Sequence, residues 1–213
     1  MPAQIELADF APRARNFLKD LAENNDRGWF RAQKTRYDTE VRRPAERLLD
    51  LVARSLETAT GERVRSKLFR PHRDVRFSDD KTPYHTHLHA AWSVPDGRGW
   101  YFGLSPDYAT AGGGVMRFDA PQTERWRSAL DGPPGPALDG LLSELGARLD
   151  PPDLDTVPAP YRGDHPRAEL LRRTGCVVWL DELFDALSAD AEAGLTGAFA
   201  RLQPLQDWLA DNL

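Results

Sequence analysis

Thr86-His-Leu-His-Ala-Ala-Trp-Ser-Val94, the turn sequence Pro95-Asp-Gly97 and Trp100-Tyr-Phe-Gly-Leu-Ser105 together decide the fold. Apolar side chains alternate with polar or small ones in both flanks, a period of two that is typical of strands with one buried face. The sequence between the flanks favours a tight turn because proline fixes one backbone angle and glycine accepts a positive one. We therefore predict an antiparallel hairpin with one apolar face.

The pattern extends outward on both sides of this hairpin. Further strands are predicted at 68–77, 108–116 and 175–180. Helical spacing of apolar residues fills the first sixty positions and returns in four later segments, 120–130, 137–148, 167–173 and from 181 onward. These elements predict one α+β domain spanning residues 1–213. Its mainly antiparallel sheet should carry the N- and C-terminal helices on one face.

Composition narrows the class of protein. Hydrophobic residues make up 40% of the 213 positions, which is enough for a core. No apolar run approaches the roughly 18 residues that a membrane helix needs. Residues 1–9 lack the basic and apolar regions of a secretory signal, and a lone cysteine, Cys176, excludes an internal disulfide. We therefore expect a cytoplasmic protein without membrane contact.

The charge distribution indicates a local cationic site. Residues 63–81 contain seven Lys or Arg and three Asp, a net charge of +4. Since the whole chain has a net charge of −5, the remaining residues carry −9. Nucleic-acid binding usually requires basic character over a whole face, so this pattern argues against it. A small anion fits a confined cationic island better. The other reading is that these arginines form structural ion pairs with Asp74, Asp79 and Asp80.

Most of the island lies in Arg70-Pro-His-Arg-Asp-Val-Arg-Phe-Ser-Asp-Asp-Lys-Thr-Pro-Tyr84. In a strand over 68–77, the side chains of Arg70, His72, Asp74 and Arg76 would share one face. Phe69, Val75 and Phe77 would join the apolar side with Arg73. A guanidinium on that side must be paired, so we expect Arg73 to bond a carboxylate or backbone carbonyls.

The residues after this predicted strand should form a defined turn. Pro83 biases Thr82 away from helix, and Asp80 can accept backbone N–H bonds while it pairs with Arg73 or Arg76. Lys81 and Tyr84 would then point toward a cleft beside His87. The loop is thus predicted to contribute two residues to the candidate site.

Histidines dominate the polar face of the second strand. His85, His87 and His89 alternate with apolar positions, and Tyr101 lies on the same face of the next strand. Histidine pairs at this spacing chelate metals in some β proteins, but no glutamate follows at the usual spacing, so we predict no metal and no cofactor. His72 with Asp74, or His87 with Tyr84, could form an acid–base pair, which leaves catalysis open.

The same stretch carries a family resemblance. Arg70-x-x-Arg-Asp-x-Arg-Phe77 followed by Asp80-Lys-x-Pro-Tyr84 resembles the signature of the DUF2461 family of conserved hypothetical proteins. Asn24-Asn25 and the run Gly112 to Gly114 are similar to further parts of its pattern. The resemblance implies a widespread bacterial domain of about this length, and it brings no catalytic assignment with it.

These observations predict a small phosphorylated or carboxylated ligand on an Arg- and His-lined sheet face. Two alternatives stay open, a cationic docking surface for an acidic partner protein and a histidine-dependent metalloenzyme. The oligomeric state is left unassigned. The candidate ligand-binding residues are Arg70, His72, Asp74, Arg76, Lys81, Tyr84, His87 and Tyr101.

Overall fold

A computed structural model describes residue 7 and residues 9–213. The absence of a secretory signal was inferred from residues 1–9, most of which lie outside the described part. The predicted hairpin is confirmed: β2 (Leu88–Ser93) pairs antiparallel with β3 (Gly99–Leu104). Its turn closes with the Val94 amide donating to the Arg98 carbonyl over 3.0 Å, and Gly97 supplies a φ of 94°.

The hairpin lies inside a six-stranded sheet. The other strands are β1 (Arg65–Leu68), β4 (Ala109–Val115), β5 (Arg148–Leu149) and β6 (Cys176–Leu180). The sheet order is β1-β2-β3-β4-β6-β5, and every neighbouring pair is antiparallel. This arrangement confirms the α+β class. Strand β4 pairs both with its sequence neighbour β3 and with β6, from which three helices and β5 separate it along the chain.

Helices surround the sheet on its apolar side. The N-terminal group is α1 (Phe10–Glu23), α2 (Arg27–Ala32), α3 (Lys34–Tyr37), a π-helical segment (Asp38–Arg42) and α4 (Arg43–Thr60). The later helices are α5 (Ala120–Asp131), α6 (Pro134–Leu145), α7 (Ala168–Leu171), α8 (Phe184–Ala189) and α9 (Ala191–Asn212). No helix within the described residues is long and apolar enough to cross a bilayer.

Alternation along β2 and β3 buries one face against α4 and α9. Trp92 is 1% exposed; its indole donates to the Leu49 carbonyl in α4 over 2.9 Å and its ring meets Phe199 of α9 at 5.5 Å. Trp100 and Phe102 are buried on the same side. Hydrophobic burial of these large rings fixes which way every second side chain points. The positions between them therefore face away from the helices.

The first strand differs from the prediction. The strand covers Arg65–Leu68, and residues 69–87 form a loop instead of continuing to 77. Both phenylalanines were expected in the core, but Phe77 is 97% exposed and Phe69 is 45% exposed. Pro71 has no N–H to donate to a neighbouring strand, and the charged residues after it have no apolar face to bury. The face shared by Arg70, His72, Asp74 and Arg76 is consequently not a strand face.

The glycine run in β4 allows close approach of β6. Gly114 has a φ of 138°, and a Cβ there would overlap the carbonyl oxygen of Cys176. A Cβ at Gly112 would lie 2.5 Å from the Trp179 ring. Glycine is needed at both positions, because any side chain would push β6 and its tryptophan away from β4.

Replacement of Gly114 by alanine should therefore destabilise the protein by more than about 2 kcal/mol, through the positive φ and the clash with β6. Gly140→Ala is the matched control, since Gly140 lies in α6 with open space around its Cα. That change should be neutral or stabilise by up to about 1 kcal/mol. Chemical denaturation of both variants measures the difference, and similar small effects would show that β4 and β6 can separate at little cost.

Candidate functional site

The sheet face opposite the helices holds two adjoining cavities. Alternation places His89 of β2, Tyr101 of β3, Thr110 of β4 and Trp179 of β6 on this face. The smaller cavity, about 570 Å³, lies at the β1–β2 edge below the loop. The larger one, about 650 Å³, crosses the middle strands as an open groove. Both volumes suit a small molecule.

The smaller cavity is lined by basic and imidazole side chains. No carboxylate lies among its lining residues, which are Lys67, Leu68, Phe69, Arg70, His72, His85, His87 and His89. The ammonium of Lys67 lies 4.5 Å from the centre of the Phe69 ring. Among the described residues, no carboxylate lies within ion-pair distance of Lys67 or Arg70. Both side chains are exposed, and Asp74, which pairs with Arg76, attracts Arg70 only at longer range. These two cations therefore lack a direct ion-pair partner within the described part of the chain.

Three histidines form a stack along the wall of this cavity. The ring centres of His85 and His87 lie 4.8 Å apart, and those of His87 and His89 lie 3.9 Å apart in a stacked arrangement. Only His89 belongs to β2; His85 and His87 lie in the last residues of the loop before it, and the contacts between the rings place all three side by side. The rings lie beside one another, and no three His, Cys, Asp or Glu side chains within the described residues are placed to hold a metal ion.

Burial and mutual repulsion keep these imidazoles neutral at pH 7. Burial, helped by repulsion from His89 and His85, lowers the pKa of His87 from 6.5 to about 4. Burial also lowers the pKa of His85, with Arg73 adding repulsion, and the pKa of His89, with His85 adding repulsion. The fixed positive charge of the cavity therefore comes from Lys67 and Arg70, and the imidazoles act as neutral donors or acceptors.

The larger groove has aromatic walls. Tyr101 and Trp179 lie side by side with ring centres 6.0 Å apart, and Tyr108 and Phe69 stand nearer the smaller cavity. Trp179 lies against Gly112 of the neighbouring strand. The groove is therefore a largely apolar channel whose floor is the sheet itself.

One end of the groove is polar. Arg148 of β5 donates to Asp181 over 2.8 Å and pairs with Asp150 over 2.5 Å. The Trp179 indole donates to Asp150 over 3.0 Å, and the Thr110 hydroxyl donates to Asp181 over 2.8 Å. Arg148 and Asp181 stabilise each other's charged form. The guanidinium lowers the pKa of Asp181, and the carboxylate raises the pKa of Arg148. This end is an ion-pair network of one arginine and two carboxylates.

The two cavities meet at His89 and Phe69, which line both. The His89 ring nitrogen Nε2 and the Tyr108 hydroxyl lie 2.9 Å apart in a hydrogen bond. Burial raises the pKa of Tyr108, so this hydroxyl keeps its proton. The junction therefore holds a neutral imidazole–phenol pair between the cationic cavity and the aromatic groove.

Half of the residues predicted for the site lie at these cavities. Arg70, His72 and His87 line the smaller cavity, and Tyr101 lines the groove. Asp74 and Arg76 instead pair with each other on the surface, with Arg76 Nη2 2.6 Å from Asp74 Oδ2. The Arg76 guanidinium is the main cause that lowers the pKa of Asp74, with attraction from Arg70 a smaller one.

Lys81 and Tyr84 were predicted to point into the cleft, and in the structure neither does. Lys81 Nζ donates to the Val75 carbonyl over 3.1 Å. Tyr84 is buried, and its ring stacks on Phe30 with centres 4.0 Å apart, because the Asn25 side chain holds both backbone groups of Tyr84. The loop is thus anchored to the N-terminal helices, and the tyrosine ring completes the core.

The expected role of Arg73 is confirmed. Its guanidinium bonds the Asp80 carboxylate and both the hydroxyl and the carbonyl oxygen of Thr82. The Thr82 amide donates to the other Asp80 oxygen over 2.9 Å, and these bonds lower the pKa of Asp80 to about 2. The backbone bridge between His72 and Tyr84 closes the base of this loop. Part of the arginine cluster is therefore structural.

Several site residues were missed by sequence reasoning. Lys67, Tyr108, Arg148, Asp150, Trp179 and Asp181 line the cavities but were not proposed. A tryptophan in an apolar strand and a glycine run in another are complementary features, and they could have indicated that Trp179 packs over β4. Nothing local marks Arg148, because β5 is only two residues long.

Asp80→Ala should lower the melting temperature, since it removes the acceptor of the Thr82 amide and leaves the partly buried Arg73 without its carboxylate. Lys81→Ala should leave it almost unchanged, because Lys81 is exposed and makes one carbonyl contact. Asp80→Asn keeps an oxygen that can accept the Thr82 N–H bond, so its melting temperature should lie between those of the two alanine variants. Equal melting temperatures for all three variants would mean that the loop is held by its backbone bridge alone.

The histidine stack should make stability depend on pH. The unfolded chain takes up a proton at His87 as the pH falls below about 6.5, whereas the folded protein resists until about 4. Stability is therefore lost as the pH falls through this window. Between pH 7.5 and 5 we expect His87 to contribute a loss of about 1 kcal/mol after solvent screening. Denaturation at both pH values should show a smaller loss for His87→Gln, and identical losses in the two proteins would contradict the assignment.

The match to a known protein family includes every residue of the candidate site. The family model described as conserved hypothetical protein DUF2461 matches residues 13–208, nearly the entire chain and all cavity-lining residues. No curated protein and no solved structure matches the chain. The resemblance carried by the stretch from Arg70 to Tyr84 is thereby extended to the N-terminal helices and to α9. The chain belongs to the DUF2461 family of conserved hypothetical proteins.

Proposed function

We propose that this protein binds a small phosphorylated or carboxylated ligand in the smaller cavity. The observation that carries the proposal is the lining of the cavity, where Lys67 and Arg70 meet an imidazole cluster without a carboxylate among the lining residues. A guanidinium can donate two parallel hydrogen bonds to a phosphate or carboxylate, and an ammonium adds a point charge. An anion would give these two side chains the direct ion-pair partner that the described residues do not supply.

The neighbouring arginines support this assignment by contrast. Arg73 and Arg76 belong to the same cationic island, yet each already has a carboxylate partner, Asp80 and Asp74 respectively. Their charges are satisfied within the loop. The island thus divides into a structural part, which shapes the loop, and a part available to a ligand, which faces the cavity.

Neutral imidazoles suit a reversible anion site. A neutral ring has one N–H that can donate to an oxygen of the ligand. A bound anion also favours the protonated form and so opposes the burial that lowers the pKa of His87. Binding should therefore be accompanied by proton uptake, and affinity should rise as the pH falls.

Shape favours a small ligand over an acidic partner protein. Docking of a protein onto a cationic surface would call for a broad convex face, whereas Lys67 and Arg70 line a recess. The metalloenzyme alternative lacks a converging ligand set within the described residues. Anion binding is the function that this geometry supports best.

We further propose a cytoplasmic setting for this activity. Cys176, the chain's one cysteine, is a buried free thiol in β6. Burial raises its pKa to about 12, so it is an unreactive core residue. A chain that relies on its hydrophobic core and has no disulfide is typical of a reducing compartment.

Binding can be measured by isothermal titration calorimetry with sulfate, whose charge is constant between pH 6 and 8. Sulfate should bind the wild type, and Arg70→Ala should weaken binding by at least about ten-fold, since a charge-assisted bond contributes about 1.5–3 kcal/mol. Arg76→Ala is the matched control, because that guanidinium already pairs with Asp74. It should change affinity by no more than about two-fold at 0.15 M salt.

The same titration at pH 6 and pH 8 tests the imidazoles. Affinity should be several-fold higher at pH 6, and His87→Gln should reduce that difference. The proposal fails if neither sulfate nor inorganic phosphate binds, or if Arg70→Ala and Arg76→Ala behave alike.

A further inference from the structure

We propose that the ligand has two parts: an anionic group, held in the smaller cavity, and a planar ring, held in the aromatic groove. This inference rests on the proposed function and assigns the chemical class of the ligand. Nucleotides and aryl carboxylates both belong to that class.

The two cavities adjoin. His89 and Phe69 contribute to the walls of both, so these two side chains form the boundary between the cavities. The His89–Tyr108 hydrogen bond, 2.9 Å long, lies at this junction. A ligand whose anion contacts Arg70 can therefore extend its remaining atoms past His89 into the groove.

The groove walls suit a flat ring. Trp179, Tyr101, Tyr108 and Phe69 supply aromatic faces and edges within one channel. Stacking on such side chains depends on the flat π face of a ligand and is tolerant of its substituents. An aliphatic chain would gain burial but not the stacking component.

Glycines let the protein's own aromatic rings lie close to the sheet. At Gly103 and Gly112, whose missing side chains would point into the groove, the rings of Tyr108 and Trp179 cover the backbone. A Cβ at Gly103 would be 3.0 Å from the Tyr108 ring. A ligand ring would therefore stack on these aromatic side chains and not on the backbone of the two glycines, which is buried.

The far end of the groove favours a ring that carries N–H groups. Asp150 and Asp181 accept bonds from Arg148, Trp179 and Thr110, and a carboxylate can accept about four bonds in all. These carboxylates would repel a second anion. Their position fixes the direction of the ligand, with the anion at Arg70 and the ring near Trp179.

The test compares ligands that hold one part constant. Adenosine 5′-monophosphate is compared with ribose 5-phosphate, and indole-3-acetate with octanoate, by calorimetry on the full chain. At least one ring-bearing anion should bind about ten-fold or more tightly than its ringless counterpart, which is the ordinary contribution of one stacked ring. Nucleotide preference would assign the phosphate source, and indole-3-acetate preference the carboxylate source.

Variants locate the ring. Trp179→Ala should weaken binding of the ring-bearing anion about ten-fold and leave sulfate affinity unchanged, whereas Arg70→Ala should weaken both. Trp179→Leu, which keeps an apolar side chain against Gly112 but removes the ring, provides the same test if the alanine variant is unstable. Amide NMR adds a direct readout, since the Trp179 indole signal should shift with the ring-bearing anion and not with sulfate.

The outcomes separate the two proposals. If sulfate binds but ring-bearing and ringless anions bind equally, the bipartite ligand is wrong and the anion site stands. If octanoate matches indole-3-acetate and ribose 5-phosphate matches the nucleotide, stacking contributes nothing and the inference fails. If no anion binds at all, the proposed function fails with it.

Discussion

Burial of one face of the β2–β3 hairpin is the constraint on which the rest of the structure depends. Trp92, Trp100 and Phe102 can reach α4 and α9 only in one register, because a slip of one residue would turn all of them toward solvent. That register also sends His89 and Tyr101 to the opposite face. The candidate site is thus a geometric by-product of core packing, and the energy that orients its side chains comes from the other side of the sheet.

Sequence reasoning succeeded where periodicity reports burial directly. The hairpin, β4, β6 and the helical segments were predicted because alternation and helical spacing follow from which side chains leave water. It failed over 68–77, where alternation of charged residues imitated a strand although Phe69 and Phe77 have nothing to pack against. Alternation predicts a strand only when one of its faces can be buried.

The site was predictable only in part for a related reason. His87 and Tyr101 flank or belong to the hairpin, so their placement followed from local pattern. Arg70 and His72 line the cavity from the loop after β1, and the predicted strand face did not place them. Arg148 and Trp179 reach the groove through pairing of β5 and β6 with β4, which depends on contacts between distant parts of the chain. Tyr84 was misplaced because its partner is Phe30, a residue of α2 that no local pattern connects to the loop.

The position of β6 in the sheet has a consequence for folding. Strands β1 to β4 pair with their sequence neighbours, whereas β6 joins β4 only after the chain has passed through α5, α6, β5 and α7. Closing that long loop costs entropy before any pairing energy is gained, and pairings of this kind form late. The Trp179 wall therefore belongs to the last part of the sheet to assemble. A molecule lodged between Trp179 and the hairpin would bridge the early and late halves of the fold, so its binding would act on the cooperativity of the whole chain and not on a single loop.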